Sequence, residues 1–321
     1  MINTSLIFPG QGSQFVGMGR DLFDTYSIAK EMFGELDDTL GYNLSKIMFE
    51  GPLETLTLTE HTQPSLMAMS AIIVKIIEME SGVSLDRYIN FAAGHSLGEY
   101  SALTVAKAIN FVDAAKILKS RGQAMQSAVP NGKGSMVAIL GADIASVEEI
   151  AAEASKIGVC SVANDNSVGQ IVLSGSSEAI KKAIEISKNF GIKKCIRLPV
   201  SAPFHCELMV PAAEIMSKKL KCLDIKKPKI KIISNVTAKP VSSPQKIRDL
   251  LLDQITATVR WRESVLFMIN NGTRRFIEIG AGKVLTGLTR RIDKNINCKT
   301  VETPHDIEDI LTSLIKDKEV L

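Results

Sequence analysis

Ser96 lies in Gly94-His95-Ser96-Leu97-Gly98, a G-x-S-x-G spacing with a short apolar run before it and a helical pattern after it. In that context a serine sits on a sharp strand-to-helix turn with its hydroxyl exposed, and the glycines stand where side chains would crowd the turn. The first amides of the following helix would face the oxygen of a reacting carbonyl as it gains negative charge. The chemistry this allows is nucleophilic attack on an acyl group; the plainer alternative is an ordinary turn serine. A hydroxyl also needs a base to take its proton, and the chain has four histidines. His95 adjoins the serine, and neighbouring side chains on such a turn diverge. His61 and His305 fall in polar stretches read as solvated loops. His205, in "PVSAPFHCELM", follows a strand end and a proline turn and opens a helical pattern, which aims it at the crevice beside a parallel sheet. It is the candidate base, with a helix cap or core histidine as the alternative, and a helix N-terminus would disfavour its imidazolium form.

The stretch "FVDAAKILKSRGQAMQ" carries an apolar stripe of Phe111, Ala114, Leu118 and Met125 whose missing member is Arg121. Asp113, Lys116, Lys119, Ser120 and Gln123 occupy the other face, so Arg121 is aimed inward. A buried guanidinium must be paired. Either an internal acid does this, or the arginine is a two-pronged fork for a substrate carboxylate. Gln254 repeats the pattern one turn beyond Ile247, Leu250 and Leu251, and a buried amide there needs polar partners.

These residues must be positioned by an α/β framework. Short β-branched runs alternate with helical patterns, which predicts a largely parallel sheet. Strands are expected in "TSLIFPG", "YINFAAG", "KIKIISN" and "RRFIEIG", and helices over 65–80, 97–107 and 111–127. Between "VPNGKG" and "PVSAPFH" the order is strand, helix, strand, strand, helix, strand, the ferredoxin-like βαββαβ pattern. This predicts a small domain over 130–198, inserted in a discontinuous large domain of residues 1–129 and 199–321.

The 321 residues are 45% apolar and 23% charged, with a formal net charge of +3, so no strong global field points to nucleic acid or a membrane. Lysines gather in "KKLKCLDIKKPKIK" (218–231) and around Lys181, Lys182, Lys193 and Lys194, as solvated faces or as a docking patch for an acidic partner. Five cysteines without a C-x-x-C pair argue against a disulfide framework or a metal site. No basic-then-apolar leader is visible, and "SLMAMSAIIVKIIEME" is broken by Lys75 and too short to span a bilayer. A cytoplasmic protein is expected.

"FPGQGSQFVGMG", "GHSLGEYSAL", "RGQAMQ", "NSVGQIVLSG", "PVSAPFHCELM" and "EIGAGKVLTGLTRRI", in that order from residue 8 to residue 292, resemble the malonyl-CoA:acyl-carrier-protein transacylase family. The resemblance implies an α/β-hydrolase-like large domain with the ferredoxin-like insertion. It implies transfer of malonyl from CoA to the phosphopantetheine thiol of acyl carrier protein in fatty-acid biosynthesis, by a monomer needing no cofactor. Carried over motif by motif, Ser96 is the nucleophile and His205 its base, and the amides of Gln11 and Leu97 form the oxyanion hole. Arg121 holds the malonyl carboxylate, and Gln254, the glutamine near the histidine, lines the substrate site with Asn164 and Met125. The family orients its histidine with backbone carbonyls, which accounts for the missing third triad member. Val168 and Thr258 stand where the family usually has proline, matters of backbone rigidity. A serine esterase or thioesterase on the same elbow is the competing expectation; it calls for an Asp or Glu partner between Ser96 and His205 and no buried arginine. A non-catalytic carrier-binding domain would not need serine, histidine and arginine together.

Overall fold

The computed structural model describes residues 3–200 and 202–318, with side chains through residue 312. Ser201 and the ends of the expected large domain, residues 1–2 and 319–321, lie outside the described residues. The described residues form ten strands: β1 Thr4–Phe8, β2 Phe91–Gly94, β3 Gly134–Leu140, β4 Cys160–Ser167, β5 Gln170–Ser176, β6 Lys194–Arg197, β7 Lys231–Ile233, β8 Pro240–Val241, β9 Arg275–Ile279 and β10 Asn297–Val301. They form two sheets.

The larger sheet has the order β10-β9-β1-β2-β7-β8, parallel throughout except for the antiparallel edge strand β8. Its inner strands are apolar without alternation because helices cover both faces. Leu6, Phe8, Ala92 and Ile232 point into one helical layer, and Ile7, Phe91, Ala93 and Ile233 into the other. The period of two sorts one short run between two cores. After β1 the chain continues to β2 on one side, and β9 closes in on the other. The carboxyl ends of β1 and β2 therefore open a crevice of the kind that binds ligands in such sheets.

The smaller sheet has the order β4-β5-β3-β6, all antiparallel. Helices Ile144–Ala154 and Ser177–Ser187 cover one face and enclose a separate apolar cluster that includes Val137, Val147 and Ile180.

Several expectations change. The buried helix begins at Thr59 and runs to Ser81, with Pro64 in its second turn. His61 is therefore helical and half-buried, bonded to the Tyr42 hydroxyl at 2.9 Å, and is no solvated loop residue. His305 likewise lies in the helix Pro304–Lys318. Pro64 lies inside this helix and removes the amide that would bond the Glu60 carbonyl, yet the helix continues through it. The strand β10 and the final helix had no expected counterpart.

Candidate active site

The elbow is built by close backbone contact. A Cβ on Gly94 would lie 1.8 Å from the Gly98 carbonyl oxygen, and one on Gly98 would lie 2.3 Å from that of Phe8. Only glycine fits either place. The helix Gly98–Val105 can then start directly over the end of β1, with Ser96 held at φ 52°. His205 is at φ 58°, also in the left-handed region that non-glycine residues rarely occupy. Two such residues facing each other mark a constrained, functional place.

Ser96 Oγ and His205 Nε2 are 2.8 Å apart. His205 Nδ1 is 2.8 Å from the backbone carbonyl of Gln254. A carbonyl only accepts, so Nδ1 carries the hydrogen and Nε2 is left as a bare acceptor for the serine proton. Burial first, and the Arg121 charge second, push the His205 pKa down to about 3. The imidazole is thus neutral in any ordinary buffer. The expected helix N-terminus does not do this: His205 precedes a three-residue turn, Glu207–Met209, and the helix proper starts at Val210.

Arg121 is 1% exposed. Its helix, Phe111–Ser127, packs against Thr59–Ser81, and a Cβ on Gly122 would come within 2.5 Å of the Glu60 Cα. That approach brings Gln63 to the arginine. Arg121 donates from Nη1 to Gln63 Oε1 at 2.9 Å, and from Nη2 to Gln254 Oε1 at 2.9 Å and Ser96 Oγ at 3.2 Å. All three acceptors are neutral, and the Nε–H is buried without an acceptor. Of five N–H groups, three are used, and among the described residues no carboxylate bonds the fork directly.

A cavity of about 230 Å³ lies over these groups. Ser96, His205, Arg121, Gln11, Leu97, Asn164 and Met125 all line it. The amides of Gln11 and Leu97 donate to no acceptor among the described residues, and Gly10 packs so tightly that a Cβ would lie 2.7 Å from the His95 carbonyl oxygen. Asn164 stands on β4, whose neighbour Asp165 donates its amide to the Val259 carbonyl at 3.0 Å and ties the small sheet to the segment between the helices Pro244–Asp253 and Trp261–Asn270. Met136, Leu198 and Phe204 complete an apolar wall.

Gln254, expected at the substrate, does not reach the cavity. It is fully buried behind Arg121, holding the guanidinium with its side chain and His205 with its backbone. Behind it lie residues that sequence reasoning missed. Asn235 Oδ1 accepts the Ser96 amide at 2.7 Å, and its Nδ2 donates to the Gly94 carbonyl at 2.7 Å, so one side chain clasps both ends of the elbow. Glu99 accepts from the Asn235 amide at 3.0 Å and from Gln254 Nε2 at 2.7 Å. His95 turns away from the serine and bonds Asn166 at 2.8 Å. Glu99 was legible as the one charge in the short helix Gly98–Val105; Asn235 had no periodic signal to betray it.

The lysine run 218–231 lies elsewhere. Lys226 and Lys229 bond through their amides to Ala108 and Ala106, beyond the far end of the elbow helix, and Lys231 pairs with Phe91, the first residue of β2. Ser96 follows the last residue of that strand. Among the described residues no cluster of His, Cys, Asp and Glu could hold a metal ion, and no helix is long and apolar enough to cross a membrane.

Fold and site together define an α/β protein with a serine–histidine pair at the carboxyl end of its parallel sheet, under a cavity that holds a buried arginine. A family profile described as "Acyl transferase domain" matches residues 5–319. The chain belongs to that family and, within it, to the malonyl CoA-acyl carrier protein transacylases. The protein of that name from Bacillus subtilis is 41% identical over 320 residues, 99% of each chain. The crystal structure of acyl-carrier-protein-S-malonyltransferase from Bartonella henselae matches with a TM-score of 0.95 and 46% identity, covering 97% of this chain and 99% of that one. A solved complex of a type II PKS acyl-carrier protein with its malonyl-transacylase matches with a TM-score of 0.93 at 38% identity, over 97% of this chain and 99% of that one.

Proposed function

We propose that this chain is an [acyl-carrier-protein] S-malonyltransferase acting through a malonyl ester of Ser96. The observation that carries the assignment is Arg121. A buried cation within hydrogen-bonding distance of the attacking oxygen, with spare N–H groups and only neutral acceptors, suits an acyl group that ends in a carboxylate.

Ser96 Oγ attacks the thioester carbonyl of malonyl-CoA while its proton passes to His205 Nε2. The oxyanion sits between the Gln11 and Leu97 amides, contacts whose removal typically costs about 3 kcal/mol each. Collapse breaks the C–S bond, and the CoA thiolate takes the proton from His205. The phosphopantetheine thiol of the carrier then gives its proton to His205 and attacks the ester, and Ser96 leaves with that proton restored. A malonyl carboxylate on Arg121 would offset the charge that depresses His205, so the base strengthens when the right acyl group is bound. Asn164 and Met125 line the acyl and pantetheine path, and Gln254 positions Arg121 and His205 from behind.

The same reading takes residues 1–129 and 199–321 as an α/β-hydrolase-like domain and 130–198 as a ferredoxin-like insertion. The strand order β4-β5-β3-β6 with two helices on one face supports the latter. The carrier, as an acidic partner, would approach the cavity mouth and not the lysine run 218–231. The protein is expected to act as a cytoplasmic monomer. Intact-protein mass spectrometry after brief incubation with malonyl-CoA tests the assignment. A malonyl-sized adduct on the wild type, absent from Ser96→Ala and removed by holo carrier protein, is expected. Free malonate accumulating without an adduct would indicate a hydrolase.

A further inference from the structure

Glu99 is a carboxyl group 1% exposed, one residue into the helix that begins at the elbow, and the transfer mechanism leaves it without a task. Its surroundings are specific. Arg121 has no acceptor atom, so the Gln254 atom facing it must be oxygen, and the amide nitrogen is thereby turned to Glu99 Oε2. Oε2 also accepts the Asn235 amide, so two donors converge on one carboxylate oxygen. The helix Phe111–Ser127 presents Arg121 to this carboxyl. The segment after β7 presents Ser234 and Asn235, and the end of helix Pro244–Asp253 presents Gln254. On its own helix, Tyr100 is the adjacent titratable group. The Glu99–Gln254–Arg121 line therefore joins one buried acid to one buried base through a single amide.

We propose that Glu99 is the counter-charge of Arg121 in the empty site and takes up a proton when a malonyl carboxylate occupies the arginine. This rests on the malonyl-transfer reading above. Without substrate the buried charges sum to zero. Placing a malonate half-ester on Arg121 adds a second anion for the same cation, and a buried region that cannot hold the excess recovers neutrality by protonating its weaker acid. Burial already raises Glu99 to about 7, against the lowering effects of Asn235, Gln254 and Arg121. A carboxylate sharing Arg121 weakens the last of these and adds repulsion, raising it further. An acetyl group brings no charge and leaves Glu99 as it was. Glu99 is thus a positioning residue for acyl selection: it keeps Arg121 paired and aimed until the substrate's own acid replaces it.

Acylation itself is proton-neutral, because the serine proton ends on the CoA thiol. His205, at about 3, stays neutral at pH 8. Relief of the Arg121 charge leaves burial, the larger cause, holding His205 neutral at that pH, so net uptake on malonylation reports Glu99. The experiment mixes stoichiometric enzyme with malonyl-CoA or acetyl-CoA in weak buffer at pH 8 with an indicator dye, with the acyl-enzyme quantified by mass. More than about half a proton taken up per malonyl-enzyme, and none per acetyl-enzyme, is expected. The state that binds the proton is favoured at low pH. The malonyl-to-acetyl loading ratio should accordingly be flat below pH 7 and fall above it, by up to about tenfold per unit. Glu99→Gln keeps the amide contacts and removes the charge; it should abolish the uptake and flatten the ratio. A Glu99 that only packs the core would move neither readout. Malonyl-enzyme formed with no proton uptake and a flat wild-type ratio would overturn the inference and leave the transfer reading standing, without need of the variant. No malonyl-enzyme at all would overturn both.

Discussion

Replacing Arg121 by alanine should convert a malonyl-selective site into a weakly selective one, and the size of the change follows from what the arginine touches. The fork donates to Gln63, Gln254 and Ser96 and has two N–H groups to spare. A carboxylate in the cavity would take charge-assisted bonds from it, and truncating one partner of a buried charged pair costs 2–5 kcal/mol or more. The cavity opens to solvent at one side, which favours the lower part of that range. About 3 kcal/mol corresponds to roughly a hundredfold loss in kcat/KM for malonyl-CoA. Acetyl-CoA has no group to miss the arginine and should lose less than about fivefold, so the ratio between them shifts by more than about tenfold. Arg121→Ala also strands the buried Gln63 and Gln254 oxygens, at about 1–3 kcal/mol each, partly offset by removing a desolvated cation. Thermal unfolding must be followed alongside, and the selectivity ratio is the informative quantity because a general loss of fold lowers both rates together. Arg121→Lys, which keeps the charge without the planar fork, should fall between. Steady-state kinetics with both thioesters would check this. An unchanged malonyl-to-acetyl ratio in a folded Arg121→Ala protein would refute the carboxylate role.

Because His205 lies near 3 when folded and near the ordinary 6.5 when unfolded, the unfolded chain binds the extra proton between those values. Its contribution to stability is therefore full above pH 6.5 and lost as pH falls toward 3; His205→Gln should reduce the acid-side decline in Tm. For the same reason kcat/KM for malonyl-CoA should not decline as pH falls through 6.5; an acid-side fall there would contradict the buried neutral imidazole, whereas the Glu99 effect lies on the alkaline side of pH 7. Gly98→Ala places a methyl 2.3 Å from the Phe8 carbonyl oxygen, so the elbow cannot close; loss of acyl-enzyme with a lowered Tm is expected, and a fully active variant would show that the turn can shift. Reversing the charges of Lys226, Lys227 and Lys229 together should leave the KM for carrier protein within about twofold at low salt, where screening is weakest. A large rise would place the carrier on the far end of the sheet.

Much of the site was legible because it breaks local rules. Arg121 on an apolar stripe and Gln254 one turn past another are polar residues where period 3.6 demands apolar ones, and both are buried against each other in the fold. The glycines around Ser96 announced a turn that admits no Cβ. Asn235 gave no such sign, because its work is done from a loop after β7 by side-chain bonds to Gly94 and Ser96, some 140 residues earlier, and no local period encodes a contact of that span. The start of the Thr59–Ser81 helix was misplaced for a related reason: its first turn packs on Gly122, a contact across some sixty residues that no local period encodes.

That contact also explains why selection and catalysis share one small space. Gly122 brings Gln63 to Arg121, the Gln254 side chain holds the other prong, and the Gln254 carbonyl fixes the His205 tautomer. An arginine displaced by a poor acyl group would pull on the residue that orients the base. Substituting Gln254 by alanine should therefore lower malonyl and acetyl transfer unequally, malonyl more. It removes the side-chain prong from Arg121 while the backbone carbonyl to His205 survives. Single-turnover acylation of Ser96 with each thioester would separate these. Equal losses would mean that Gln254 serves the base alone, and that Arg121 is aimed by Gln63 without it.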